Sequence, residues 1–485
     1  MVTQLGDHAM LLREHGHATA RRGHATPAER RHARGRAAPL MAILAAALGT
    51  AAALGAGCEP TAKDARPTLL FSTGDQGVLA ACGCPSNPSG GLAKRQALIE
   101  QYRRSRESVC IVDAGDLMPE MGRPNDIKMK YLVEVVARAK YDAIGLGDQE
   151  FAQGAETLRK LAREHNLPFI CANVRDEAGQ PVAPSHVIRE VGGLRVGIFA
   201  VIADRAYGFP PLEWRKGLKV EPPVEAAWRE VKELAGCDVV VALSHQTIAE
   251  TRDLASSVPG IHVIVSGHDP TVLPKPEMVG GALIVASGDE GRILGALAIH
   301  RGSAGRPEFS CEMTELSAQV PDAKWVMDLY WQYVKEAKEK PPPDWNQTPV
   351  PATYETAEAC GKCHAEEHRQ WLTTRHAHSY VSIKRSRRQD DPECLLCHTM
   401  GLGRNGGFVS IAKTPDLGRV TCQACHIVTS GHGAKGAAKD EMLDPRIYIN
   451  SRLCMSCHGP IQSPNFDYYV YKPKIVHRPP ETGKQ

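Results

Sequence analysis

Four copies of one short pattern constrain this chain more than any other feature. Cys-x-x-Cys-His occurs four times between residues 360 and 458 of 485, and it uses eight of the fifteen cysteines. Two thiols at this spacing form thioethers with the vinyl groups of one haem, and the histidine that follows binds the iron. Paired cysteines that bind zinc need no histidine after each pair. We therefore predict four covalently bound haem c groups, held by Cys360, Cys363 and His364; Cys394, Cys397 and His398; Cys422, Cys425 and His426; and Cys454, Cys457 and His458.

Each haem iron has a second axial position, and its occupant decides the chemistry. A second histidine saturates the iron and favours electron transfer, whereas an open position lets the iron bind a small ligand such as nitric oxide. The number of distal histidines therefore separates an electron carrier from an enzyme. The candidates in this region are His368, His376, His378, His432 and His477, with Met400 and Met455 as alternatives.

Further motifs surround the four haem strings. They are Trp371-Leu-Thr-Thr-Arg-His376-Ala377, Cys397-His398-Thr-Met-Gly401, Val420-Thr-Cys422-Gln-Ala-Cys425-His426, Gly431-His432 and Tyr471-Lys-Pro-Lys-Ile-Val-His477. On these motifs, residues 355–478 resemble the cytochrome c554 family of multihaem proteins. The resemblance implies distal ligands at His376, His432 and His477. It also implies that one haem, the second one at His398, is five-coordinate or weakly ligated.

Upstream of the haem strings, short apolar runs alternate with amphipathic stretches. Within residues 66–318, helical periodicity fills the gaps between eight strand candidates, for example at 92–104, 131–140 and 224–235. Nearly continuous hydrophobicity is typical of strands buried on both faces, so we predict an α/β layered domain of sheets flanked by helices. We predict a helix followed by a Pro-rich linker for residues 319–354. For residues 355–478 we predict a mostly helical or irregular haem domain. The strand candidates are 68–72, 109–113, 142–146, 168–173, 195–201, 238–243, 262–266 and 283–286.

Short polar motifs follow most of these strands. They are Ser72-Thr73-Gly74-Asp75, Gly90-Gly91-Leu92-Ala93-Lys94-Arg95, Asp113-Ala-Gly-Asp116, Gly147-Asp148-Gln149-Glu150-Phe151, Leu243-Ser244-His245 and Ser266-Gly267-His268. In this order and at these positions, residues 67–300 resemble the metallophosphatase domain of the 5′-nucleotidase family. The resemblance implies a centre in which two metal ions activate water and stabilise phosphate.

The same resemblance implies that this centre is degenerate. One metal set has lost both of its histidines, because the matching positions are Gly77 and Pro270, and Gln149 replaces the catalytic histidine. The other set is intact and suits a single Mn, Fe or Zn ion, with hydrogen bonds that stabilise the fold without metal as the alternative. The intact set is Asp116, Asp148, His245 and His268, and the incomplete set retains Asp75 and Asp116.

A Cys-x-Cys pair lies in the loop after the first predicted strand. Cys82 and Cys84 could supply soft metal ligands in place of the lost histidines, or they could form a redox pair. A structural disulfide is the alternative in an oxidising compartment, and free thiols are a further one. The sequence leaves these interpretations open.

The N-terminus indicates export. Residues 39–57 are apolar, follow Arg34 and Arg36, and end at Cys58 in a lipobox-like Leu-Gly-Ala-Gly-Cys. We interpret residues 1–58 as a signal peptide, with Cys58 as a lipid anchor to a membrane or, alternatively, with simple cleavage. Haem c is attached outside the cytoplasm, so we expect the bacterial periplasm or the outer cell surface. The net charge of +3, without a basic stripe, excludes nucleic acid as the expected partner.

These features together predict an electron carrier that serves redox partner proteins. The degenerate metallophosphatase-like domain would dock a partner or bind a substrate. One alternative is a redox enzyme that acts on a small nitrogen or sulfur compound at an open haem or at Cys82 and Cys84. A second alternative is a phosphoesterase with an attached cytochrome, against which Gly77, Gln149 and Pro270 argue.

Overall fold

The structure is a computed structural model of the 485-residue chain. It describes residues 64–81, 88–119, 125–152, 154–203, 217–302, 305–339, 354–426, 451–459, 463 and 465–477. The predicted signal peptide with Cys58 lies outside the described residues, as do the Cys82 and Cys84 pair and the distal ligand candidate His432. Among the described residues, no helix combines the length and the apolar character needed to cross a bilayer.

Within the described residues, strands form two six-stranded sheets and one two-stranded sheet. The first sheet has the order β14-β13-β1-β2-β3-β4, and β1 to β4 are parallel in it. The second has the order β11-β12-β10-β9-β7-β6, with a parallel centre from β12 to β7. The strands are β1 Thr68–Ser72, β2 Val109–Asp113, β3 Ala143–Gly145, β4 Phe169–Ile170, β5 Val174–Asp176, β6 His186–Val191, β7 Leu194–Ile202, β8 Leu218–Val220, β9 Val239–His245, β10 Val263–Ser266, β11 Glu277–Val279, β12 Ala282–Val285, β13 Ile293–Arg301 and β14 Pro307–Glu315.

Helices cover the outer faces of both six-stranded sheets. The first sheet packs against α1, α2, α4 and α7, and the second packs against α5 and α6. The helices before the haem strings are α1 Leu92–Ser105, α2 Asn125–Ala139, α3 Asp148–Phe151, α4 Ala155–His165, α5 Pro223–Glu233, α6 Ile248–Ser257 and α7 Lys324–Glu339.

Side-chain alternation along the strands builds the core of this layered domain. In β1, Leu69 and Phe71 point between the two sheets, whereas Leu70 points to the helices on the outer face. Both sets are buried, so each central strand forms a continuous apolar run, and burying one such side chain contributes roughly 1.5–3 kcal/mol. The predicted α/β fold of sheets flanked by helices is confirmed, and all eight strand candidates overlap strands of the structure.

The haem region consists of short helices and irregular segments. Its apolar clusters are small: one contains Ile383, Leu395, Phe408 and Leu417, and another is centred on Trp371. Small apolar clusters are expected in a region where we predict that porphyrins, rather than apolar side chains, fill the interior. The helices are α8 Ala357–Gly361, α9 Ala365–Leu372, α10 Ser379–Arg385, α11 Pro392–His398, α12 Ser451–Met455 and α13 Tyr468–Tyr471.

A buried charged network joins the second haem string to the layered domain. Asp391 caps the N-terminus of α11 by accepting from Glu393 N at 2.9 Å, and its carboxylate also accepts from Tyr330 of α7. Arg388 forms an ion pair with Asp391 at 2.7 Å and donates to the carbonyl of Ala81 at 3.3 Å. Lys128 of α2 forms a second ion pair with Glu393 at 2.6 Å. Helix α11, which carries the second haem string, is therefore fixed to α7 and α2.

We expect Asp391→Ala to destabilise the protein by about 3 kcal/mol or more, because Arg388 loses its partner and α11 loses its cap. Asp390→Ala is the matched control, because Asp390 is partly exposed and pairs with the exposed Lys338 at 2.9 Å. We expect the control to change stability by less than about 1 kcal/mol. Chemical denaturation of the haem-loaded protein measures the free energy of unfolding of both variants. If both variants lost the same free energy of unfolding, a structural role for the network would be contradicted.

Candidate metal and haem centres

Four side chains converge where strands of the two six-stranded sheets end. Asp116 and Asp148 follow β2 and β3, His245 ends β9, and His268 follows β10. The carboxyl ends of neighbouring parallel strands meet at one edge of a sheet, and ligands bind there. One ligand atom from each residue lies within 4.8 Å of all the others. We call these four residues the quartet.

The quartet is arranged around the Nε2 atom of His245. This atom lies 3.1 Å from Asp148 Oδ1, 3.5 Å from Asp116 Oδ1 and 3.2 Å from His268 Nδ1. His245 Nδ1 donates to the carbonyl of Ala114 at 2.9 Å, since a carbonyl can only accept. That bond fixes the tautomer of a neutral ring and turns Nε2 towards the quartet, as in protein metal sites.

The quartet concentrates negative charge in a buried place. Burial raises the pKa of Asp116, and the neighbouring Asp148 carboxylate raises it further. Burial has the same effect on Asp148, but hydrogen bonds from His245 and His268 hold its pKa below the usual range. Although burial disfavours a charged imidazole, Asp116 and Asp148 raise the pKa of His245 to about 10. The quartet therefore attracts positive charge, and two carboxylates with two imidazoles fit Mn, Fe or Zn.

Backbone geometry holds the quartet in place. Asp116 and His268 have φ angles of 57° and 76°, a region that non-glycine residues seldom adopt and that is common at functional sites. The buried Glu150 carboxylate accepts from Asp116 N at 2.9 Å and from Gly147 N at 2.8 Å. A Cβ at Gly147 would come within 2.6 Å of His245 Cε1. Glu150 belongs to the Gly147–Phe151 motif, but the sequence alone does not show that it positions the quartet. That role depends on its hydrogen bonds to Asp116 N and Gly147 N in the folded protein.

Among the described residues, one further predicted metal ligand, Asp75, is not brought into the quartet. Its fully buried carboxylate pairs with the guanidinium of Arg95. Gln149, at the position of the family's catalytic histidine, is 8% exposed, and its backbone N–H donates to Asp116 Oδ1 at 3.0 Å. At the position of the incomplete metal set, the protein therefore has the ion pair between Asp75 and Arg95.

The haem strings lie beside two of the three predicted distal histidines. The ring centroids of His376 and His458 are 6.0 Å apart, and those of His426 and His477 are 6.1 Å apart. Two imidazoles on opposite sides of one iron, each with its nitrogen about 2 Å from the metal, place their centroids about 6 Å apart. The donor geometry therefore fits bis-histidine haems on the third and fourth strings.

Hydrogen bonds turn several of these rings in the direction that metal binding needs. The Nδ1 atom of His398 lies 2.8 Å from Ser379 O, that of His458 lies 2.9 Å from Ser463 Oγ, and that of His477 lies 2.7 Å from Gln370 Oε1. Each bond leaves Nε2 available to a metal. His378 instead donates through Nε2 to the carbonyl of Leu372 at 3.1 Å. His378 is thus the weaker candidate ligand.

Contacts between cysteines show which strings are neighbours. The sulfur of Cys360 in the first string lies near that of Cys422 in the third, and the sulfur of Cys397 in the second lies near that of Cys457 in the fourth. Cys425 of the third string lies near both cysteines of the fourth string. The spatial order is therefore first, third, fourth, second, and the second string lies at the end that contacts the layered domain.

Comparison with known proteins matches both regions of the chain. The family model of cytochrome c554 and c-prime matches residues 359–427, which contain the first three haem strings. The layered domain is 29% identical over 220 residues to a snake venom 5′-nucleotidase of Crotalus adamanteus, covering 42% of this chain and 37% of that protein. Human 5′-nucleotidase is 28% identical over 229 residues, covering 44% of this chain and 39% of that protein. The chain thus spans less than half the length of these relatives.

A solved structure shows the same fold. The crystal structure of a 5′-nucleotidase precursor from Thermus thermophilus has a TM-score of 0.50 and 23% identity, over 56% of this chain and 59% of that chain. Both predicted resemblances are therefore confirmed: the layered domain is 5′-nucleotidase-like, and the C-terminal region is similar to cytochrome c554. The quartet residues suit a divalent metal, and the cytochrome match indicates haem.

We expect His376→Ala to remove the distal ligand of one low-spin haem. Electron paramagnetic resonance of the oxidised protein should then lose one low-spin signal and gain a high-spin one. His378→Ala is the control two residues away, since His378 is exposed and bonds to backbone; its spectrum should match wild type. An unchanged spectrum for His376→Ala would contradict the pairing of His376 with the haem at His458.

Proposed function

We propose that this protein is an exported tetrahaem cytochrome that carries electrons in the bacterial envelope. The spacing of the two imidazole pairs, 6.0 and 6.1 Å between ring centroids, supports this most directly. Bis-histidine iron is saturated and exchanges electrons without binding substrate. Such haems serve transfer rather than catalysis.

The order of the haem strings supports a relay. Each string adjoins the next in the sequence first, third, fourth, second, so electrons can pass between neighbouring haems along the whole set. The second string is anchored to the layered domain through Asp391 and Glu393. That domain would dock the redox partner protein or bind a small substrate, with one divalent ion held by the quartet.

A redox enzyme is the second candidate, and the count of distal ligands favours it. The chain has four proximal histidines but three predicted distal ones. In the pairing above, His376 and His477 are the distal ligands of the fourth and third haems. Of the three distal histidines that the family resemblance implies, His432 remains for the first and second haems, so one of these irons would be five-coordinate or weakly ligated. An open iron would bind or reduce a small nitrogen or sulfur compound. The Cys82 and Cys84 pair is the other proposed site for such chemistry.

The cellular location follows from the same proposal. Covalent haem attachment requires export, so we place the mature chain in the periplasm or on the outer cell surface. The lipobox-like end at Cys58 supports a lipid anchor to the membrane. Fractionation of cells that produce Cys58→Ser tests this, since loss of the anchor would move the protein into the soluble fraction.

One set of assays on the purified holoprotein separates the three candidate functions. Protein-film voltammetry should give reversible signals without catalytic current, and nitric oxide should leave them unchanged if the protein is a carrier. A catalytic current with nitric oxide would instead support the redox enzyme. A nucleoside monophosphate with added Mn should release no phosphate, because Gly77, Gln149 and Pro270 leave the two-metal centre incomplete. Robust Mn-dependent phosphate release would support the phosphoesterase.

A further inference from the structure

We propose that Ser382 is a positioning residue of the second haem, because it accepts a hydrogen bond from the proximal ligand His398 and so increases the electron density that His398 gives to the iron. The Nδ1 atom of His398 lies 2.8 Å from the carbonyl oxygen of Ser379 and 3.1 Å from Ser382 Oγ. Both oxygens belong to the first turn of α10. This inference rests on the part of the proposed function that assigns a haem to the second string, and it holds whether that iron is open or saturated.

The hydrogen bonds of Ser382 make its oxygen an acceptor for His398. Ser382 Oγ lies 2.6 Å from the carbonyl oxygen of Ser379, which can only accept, so the single hydroxyl proton of Ser382 is used in that bond. A neutral imidazole that binds iron through Nε2 carries its proton on Nδ1. The Nδ1–H group of His398 therefore donates to Ser379 O and to a lone pair of Ser382 Oγ in a three-centre bond. Because the Ser382 hydroxyl is itself donating, its oxygen is a stronger acceptor.

The first turn of α10 is fixed to the second haem string at a further point. Ser379 Oγ donates to the carbonyl of His398 at 2.7 Å and accepts from Val420 N at 3.1 Å. Ser379 is buried, whereas Ser382 is exposed. The backbone of α10 thus keeps its position when the side chain at 382 changes, and an exposed position tolerates such a change with little loss of stability. The hydroxyl of Ser382 can therefore be tested separately from the fold.

A hydrogen-bond acceptor at Nδ1 changes the properties of an iron-bound histidine. It raises the basicity of the ring, and hydrogen bonding around a haem helps to set its reduction potential. A more basic ligand stabilises Fe(III) relative to Fe(II), so the Ser382 oxygen lowers the reduction potential of the second haem. The second haem is therefore a better electron donor than it would be without Ser382.

Two substitutions at position 382 form a matched pair. Valine and threonine have the same shape and differ in one oxygen, and a threonine hydroxyl in a helix can bond to the carbonyl three residues earlier, as that of Ser382 does. The measurement is a redox titration of the haem-loaded protein, followed by visible absorption and electron paramagnetic resonance. We expect Ser382→Val to raise the midpoint potential of one haem, and Ser382→Thr to leave all four potentials close to wild type.

A second readout and a control accompany the titration. If the second iron is five-coordinate, resonance Raman spectra of the reduced protein should show a lower iron–histidine stretching frequency in Ser382→Val, but not in Ser382→Thr. Ser386→Val is the control one turn further along the chain, because Ser386 Oγ donates to the carbonyl of Ser382 at 3.0 Å. Its potentials and its spectra should match those of wild type.

Three results would overturn the inference. They are unchanged potentials in a folded Ser382→Val that carries four haems, equal shifts in Ser382→Val and Ser382→Thr, or the same shift in Ser386→Val. If Ser382→Val does not fold or does not bind haem, Ser382→Ala decides, because it removes the same oxygen without adding a methyl group. A wild-type chain whose second string carries no haem would overturn the proposed function as well, whereas four haems with unchanged potentials would overturn the role of Ser382 alone.

Discussion

Buried carboxylates need positive charge close by, and the site-bearing parts of this protein are arranged around that requirement. At the strand ends, Asp116 and Asp148 lie beside His245 and His268 in a set of donors that suits a divalent cation, while Arg95 pairs with Asp75. Where the haem region contacts the layered domain, Arg388 pairs with Asp391. Removing either partner of such a pair costs several kcal/mol, because the other charge stays buried alone. The need of buried carboxylates for positive charge therefore accounts both for the metal-binding character of the quartet and for the position of the second haem string.

In the haem region, imidazoles rather than apolar side chains define the interior. Its apolar clusters are small, yet His376 lies opposite His458 and His426 opposite His477 at the spacing that one iron requires. Iron would therefore bring together segments far apart in the chain. This explains why regular periodicity is scarce after residue 354 and why the spacing of cysteines and histidines is the informative signal.

The sequence predicted the central strands because parallel strands are buried on both faces. The quartet was predicted from the resemblance to the 5′-nucleotidase family, and its residues come together because the carboxyl ends of parallel strands share an edge. The sequence did not predict β6 and β14, because these edge strands are half-exposed and alternate with polar residues, nor the three-residue strands β5, β8 and β11. The long strand β13 was missed although it is apolar. The roles of Arg95 and Glu150 and the pairing of distal histidines depend on contacts between distant segments, which periodicity does not report.

The central claim is that eight thiols hold four haems as thioethers. Intact mass spectrometry of the mature protein, produced in a host that attaches haem c, measures this directly. The account predicts a mass equal to the processed polypeptide plus four haem groups, and three of them should lie in a proteolytic fragment that spans residues 359–427. A mature chain without covalent haem, or with fewer than four groups after full maturation, would contradict it.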